Sequence, residues 1–163
     1  GFLDVSSTPG RGTRIGVYLP ATTEIPAAKP APEEIHLLAG HGETILFVDD
    51  EESAREMARL TLEAIGYRVI LASNGAEAVD ICMSRGPEID VTIIDMMMPV
   101  MDGAAAIERV RQVNSSMPII AVTGLPDSKQ GDRATQLGVK HCLAKPYSAA
   151  SLLTALQELI GKS

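Results

Sequence analysis

The sequence predicts an α/β protein built on a doubly wound, five-stranded parallel sheet with helices on both faces. Three observations carry this reading. From Glu43 onward, short apolar runs alternate five times with stretches of helical pattern. The middle runs are apolar apart from Thr92, as burial on both faces of a sheet requires, where a sheet with one wet face would alternate. Four of the five runs also close on a polar, chemistry-bearing residue, at the end where an open parallel sheet gathers its ligand site.

The opening twenty residues set two β-prone runs around the turn cluster Ser7-Thr8-Pro9-Gly10-Arg11-Gly12 and predict one hairpin. A lone hairpin is marginal in water, so it is expected to pack on something else or stay partly disordered. Residues 21–42 turn to Pro, Ala and Glu, and Pro26, Pro30 and Pro32 forbid a continuous helix, so this stretch reads as a semi-rigid linker. The predicted strands are 44–48, 67–72, 91–94, 119–122 and 142–144. The predicted helices are 53–65, 75–84, 104–113, 129–137 and 149–160. Asn74 followed by Glu77 has the form of a capping box, Gly66 and Gly138 fit helix ends, and Ser148 fits an N-cap. In the last helix Leu152, Leu156, Leu159 and Ile160 recur at helical spacing, which turns one stripe toward the sheet.

Composition narrows the function. The 163 residues carry a formal net charge of −7 and no basic cluster, which argues against nucleic acid as a partner. No apolar run approaches the roughly 18 residues that span a bilayer, and the start lacks a signal-peptide layout, so a cytoplasmic piece with no membrane contact of its own is expected. Cys82 and Cys142 have no Cys-x-x-Cys spacing and read as free, buried thiols. His36, His41 and His141 have no metal-ligand spacing and no phosphodonor context. Position 1 is Gly, so the chain reads as part of a longer protein.

The polar closures are Asp49-Asp50 after Phe47-Val48, Asp95 after Ile93-Ile94, Thr123 after Ala121-Val122, and Lys145 after Leu143-Ala144. Any one could be a cap or a turn residue. Together they point to a site. Three clustered carboxylates would repel one another, and a hard cation with oxygen ligands compensates; Mg²⁺ suits because it accepts a few carboxylates and keeps waters. A carboxylate held by a divalent ion, a lysine and a hydroxyl can attack phosphorus in line, giving an acyl phosphate. Asp95, closing the segment expected at the centre of the sheet, is the predicted nucleophile.

Asp49-Asp50, Asp95-Met96-Met97-Met98-Pro99 with Met101-Asp102-Gly103, Thr123 and Lys145-Pro146, in that order, resemble the receiver domain of response regulators over residues 43–161. The resemblance implies a flavodoxin-like (βα)5 fold with strand order 2-1-3-4-5. It also implies Mg²⁺ held by Asp50 and Asp95, with Asp49 assisting through water and the Met97 carbonyl as a further ligand. Asp95 would be the phosphoacceptor, Thr123 would bond a phosphoryl oxygen, Lys145 would pair with the phosphoryl group, and the Lys145-Pro146 bond would be cis. Two positions depart from the family pattern. Cys142 stands where a switching aromatic is usual, and Met97 and Leu125 stand where water-orienting polar side chains speed hydrolysis, so a long-lived phosphoaspartate is expected.

Ser7 to Thr13 followed by Ile15, Val17 and Leu19-Pro20 resembles the terminal hairpin of the ATP-binding domain of histidine kinases. Both resemblances together imply the C-terminal part of a hybrid sensor histidine kinase: residues 1–20 from the kinase, 21–42 the linker, 43–161 the receiver. The implied partners are a phosphohistidine donor, in cis or in trans, and a histidine phosphotransfer domain. The piece itself would not be a kinase and would carry no DNA-binding output domain; its oligomeric state stays open. Two other readings use the same residues. One is a phosphohydrolase of the haloacid dehalogenase type, whose nucleophile normally opens an Asp-x-Asp element. The other is an interaction module with the fold and no phosphoryl chemistry.

Overall fold

The computed structural model describes residues 1–10, 12–19, 39–124 and 129–161 and contains two sheets. The first is a hairpin of β1 (Phe2–Thr8) and β2 (Gly12–Tyr18), antiparallel in a register running from Phe2 opposite Tyr18 to Thr8 opposite Gly12. Because side chains alternate along a strand, Leu3, Val5, Ile15 and Val17 share one side, all exposed. The Phe2 and Tyr18 rings, on the other side, stack with centroids 4.5 Å apart. The predicted linker falls outside the described residues from 21 to 38.

The second sheet has five parallel strands, β3 (Thr44–Val48), β4 (Arg68–Ala72), β5 (Val91–Asp95), β6 (Ile119–Thr123) and β7 (His141–Ala144). Their spatial order is β4-β3-β5-β6-β7, which is 2-1-3-4-5 counted from β3, and β5 is central. Between the strands run α1 (Glu52–Glu63), α2 (Gly75–Arg85), α3 (Gly103–Val113) and α4 (Lys129–Gln136), and α5 (Ala149–Ile160) follows β7. The predicted α/β alternation is therefore the observed one.

Alternation along each strand divides the core. Ile45, Phe47, Val91, Ile93, Ile120 and Val122 pack with Ala58 and Leu62 of α1 and with Leu152, Leu153 and Leu156 of α5. Leu46, Val48, Ile94 and Ala121 point the other way, onto Ala78 and Cys82 of α2, Ile107 and Val110 of α3 and Ala134 of α4. Both faces of β3, β5 and β6 are thus covered, which is why those runs tolerate almost no polar residue before their ends.

Boundaries differ from expectation for local reasons. The Tyr67 N–H donates to the Leu62 carbonyl, closing α1, so β4 begins one residue later than predicted. Gly66 makes that reversal at φ 97°, which a side chain would resist. Ser148 caps α5 with a full capping box through Ser151. At α2 the Asn74 side chain accepts from the Glu77 N–H as expected, but the Glu77 carboxylate accepts from the N–H and hydroxyl of Ser73, one residue before the cap. The methionine run alternates in burial at the strand end: Met96 and Met98 are buried, Met97 exposed. Cys82 is buried, whereas Cys142 is only half-buried, a correction to the expected pair of buried thiols; both are free.

Candidate functional site

The carboxyl ends of β3, β5, β6 and β7 bring the predicted residues to one rim. Asp49 is the first residue beyond β3 and is held there by its N–H on the Ala72 carbonyl. Asp95 closes β5 in register with Val122 of β6, so Thr123 stands one step further along the neighbouring strand. The Lys145 N–H donates to the Thr123 carbonyl at 2.7 Å, which ties the lysine to that strand end, and the Lys145-Pro146 bond is cis as expected.

Asp49 and Asp95 are almost wholly buried, at 2% and 5% exposure, whereas Asp50 is exposed. Both buried carboxylates use their oxygens alike. One oxygen accepts from the N–H two residues on, Glu51 to Asp49 Oδ1 at 2.9 Å and Met97 to Asp95 Oδ1 at 2.8 Å. The other accepts from the Lys145 ammonium, at 2.8 Å for Asp49 Oδ2 and 2.6 Å for Asp95 Oδ2. Burial works against the charged ammonium, but hydrogen bonds and attraction from the two carboxylates outweigh it and hold the Lys145 pKa well above the ordinary lysine range.

Asp49, Asp50 and Asp95 each place a carboxylate oxygen so that all three lie within 4.8 Å of one another. One ammonium against three carboxylates, two buried and one exposed, leaves two formal negative charges. An oxygen-only donor set with that residual charge fits a hard divalent cation of the Mg²⁺ class. Met97 lies at the same rim, and its sulfur accepts a hydrogen bond from Gln130 Nε2 of α4 at 3.2 Å. Leu125 and His36 fall outside the described residues. Cys142 sits on β7 opposite Ala121, packed against the α2–α4 core, with burial pushing its thiol pKa up.

Sequence reading missed Arg55 and, for Gly103, its closeness to Asp95. Arg55 donates from a guanidinium nitrogen to the Asp49 carbonyl at 2.8 Å. Its place six residues after Asp49, in the first turn of α1, was the available signal. Gly103 opens α3 directly behind Asp95, and a Cβ there would run into the Asp95 carbonyl and the Met96 Cα. The Asp102 side chain caps the same helix by accepting from the Ala105 N–H at 2.8 Å.

This fold and rim define a receiver, and sequence comparison agrees: the chain belongs to the response regulator receiver domain family, whose pattern matches residues 45–157. It is therefore a two-component signalling domain. Among curated relatives, the sensor kinase CckA of Brucella abortus is 30% identical over 170 residues, covering 99% of this chain and 18% of its own length. A probable transcriptional regulator of Guillardia theta is 35% identical, covering 74% of this chain and 46% of its own length. The chain spans less than half of either relative. Among solved structures, a receiver domain from Clostridium thermocellum has a TM-score of 0.70 at 30% identity, over 74% of this chain and 95% of that one. The receiver domain of a sensor histidine kinase from Pseudomonas aeruginosa, with a magnesium ion coordinated in its active-site cleft, has a TM-score of 0.68 at 32% identity, over 74% of this chain and 98% of that one.

Proposed function

We propose that this receiver accepts a phosphoryl group from a phosphohistidine onto Asp95 in a Mg²⁺-dependent reaction. The observation that carries the reading is the double contact of Lys145 with Asp49 and Asp95 beside the three-carboxylate cluster. A carboxylate oxygen of Asp95 attacks phosphorus, the P–N bond to the donor imidazole breaks, and its electron pair stays on the ring nitrogen. Lys145 pairs with the phosphoryl oxygens, and the Thr123 hydroxyl bonds one of them after transfer. Asp50 and Asp95, the Met97 carbonyl, and Asp49 in an assisting role would hold the Mg²⁺. When bound, that ion neutralises charge on the transferring oxygens. The acyl phosphate is long-lived, because Met97 offers no polar group to orient an attacking water.

The same reading gives the phosphoryl group a donor in a histidine kinase domain and an onward acceptor in a histidine phosphotransfer domain. It assigns residues 1–20 to the end of a kinase ATP-binding domain, 21–42 to a linker and 43–161 to the receiver of a hybrid sensor kinase. The hybrid-kinase context is supported by the likeness to the sensor kinase CckA over 99% of this chain.

Incubation with a small phosphodonor and Mg²⁺, followed by intact mass, tests the reaction. One added phosphoryl group that disappears in Asp95→Asn supports it. Turnover of many phosphomonoesters would favour a phosphohydrolase instead, and no mass gain would favour an interaction module.

A further inference from the structure

We propose that Arg55 is a positioning residue for the metal cradle: its guanidinium holds the corner at which Asp49 and Asp50 leave β3. The inference rests on the reading of the acidic cluster as a Mg²⁺ site.

Arg55 stands where the dipole of α1 disfavours a cation and the neighbouring carboxylates favour one. It lies in the first turn of α1, whose exposed N–H groups form the positive end of the helix dipole. That turn also lacks ordinary capping, since Glu51 at the N-cap makes no side-chain cap bond. The contact of this half-buried arginine defines its role. Its guanidinium nitrogen donates to the Asp49 carbonyl at 2.8 Å, beyond the last ladder pair of β3 with β4, Val48 with Ala72. That bond ties the start of α1 to the end of β3. The charge of Arg55 also contributes to lowering the Glu77 carboxyl, which is held below the usual range first by the hydroxyl and N–H of Ser73.

Holding the Asp49 carbonyl fixes the peptide that joins the two acidic residues. Asp49 is anchored three times more, by its N–H on the Ala72 carbonyl, by Lys145 and by the Glu51 N–H. Asp50 is exposed, so the Asp49–Asp50 peptide is the part of its placement that Arg55 can control. A guanidinium on that carbonyl pre-orients Asp50 toward Asp95 before any ion arrives, as outer partners of metal ligands do in other sites.

The sign of one measurement separates this role from simple charge screening. Removing a nearby positive charge without changing geometry would tighten a divalent cation. Removing a positioning group loosens it. Isothermal titration of the full chain with Mg²⁺ should therefore show Arg55→Met and Arg55→Ala binding about tenfold more weakly than the parent. Arg55→Lys, which keeps the charge but loses the planar fork, should recover only part of the affinity. Thermal melts in EDTA check that each variant is folded, and Arg55→Lys serves if the truncations are not. Equal or tighter binding by the folded variants overturns the proposal. If the parent itself binds no Mg²⁺, or Asp50→Asn binds as the parent does, the metal reading fails and the proposal falls with it.

Discussion

The Lys145 ammonium lies 2.6 Å from the Asp95 carboxylate and 2.8 Å from that of Asp49, although 50 and 96 residues of sequence separate the partners. One cation thus holds two nearly buried anions together. Lys145→Ala leaves both without that partner, so stability in EDTA should fall by about 1–3 kcal/mol, less than for a fully buried pair because Lys145 is partly exposed. Saturating Mg²⁺ should then stabilise the variant more than it stabilises the parent, since the ion supplies the missing charge. Denaturation with and without Mg²⁺ checks both statements, and an unchanged melt in EDTA contradicts the first.

Gly103 owes its identity to the backbone of Asp95 rather than to any unusual φ. Gly103→Ala forces α3 and the end of β5 apart, with a cost of about 1–3 kcal/mol and weaker Mg²⁺ binding. Gly86, where an added Cβ meets nothing within 4 Å, supplies the control. Gly86→Ala should change stability by less than about 1 kcal/mol. Similar losses for the two variants in urea titrations would remove the argument.

Val100, in the loop between β5 and α3, has φ 71° and is 91% exposed. A β-branched residue in the left-handed region is strained by about 1–2 kcal/mol, and so exposed a side chain has little packing to lose. Val100→Asn should raise stability by about 0.5–1 kcal/mol and leave Mg²⁺ affinity unchanged. A lower melting temperature would contradict this.

Glu77 gives the start of α2 a pH dependence. Its carboxyl lies below the ordinary value of 4.5 because of the Ser73 hydroxyl and N–H. A carboxyl with a lowered native pKa contributes stability that is present above the unfolded value and is lost as pH falls through the native one. The parent should therefore melt above Glu77→Gln at neutral pH, and the gap should close below pH 4.5. A gap that persists in acid would assign the effect to something other than the charge.

The sequence displayed the sheet plainly because both of its faces are covered. Under that constraint, a polar residue ending an apolar run is conspicuous, and Asp49, Asp95, Thr123 and Lys145 all stood out in that way. Arg55 did not, because its partner is a backbone carbonyl, which leaves no pattern of paired side chains to read. Val100 was hidden for a related reason: nothing in its identity announces a positive φ, and valine argues against one. The boundaries of β5 and β6 moved by a residue because Asp95 and Thr123 belong both to the ladder and to the rim. Gly103 appeared only within the Met-Asp-Gly string, and its closeness to Asp95 follows from helix placement, which spacing alone does not fix.

The central claim is that Asp95 carries the phosphoryl group, and borohydride trapping tests it most directly. An acyl phosphate on an aspartate is reduced to a homoserine, which peptide mass spectrometry locates. After treatment with phosphodonor and Mg²⁺, the account predicts homoserine at position 95 and none there when EDTA replaces the metal. Reduction at Asp49 or Asp50 instead, or trapping at position 95 that is indifferent to Mg²⁺, would contradict it.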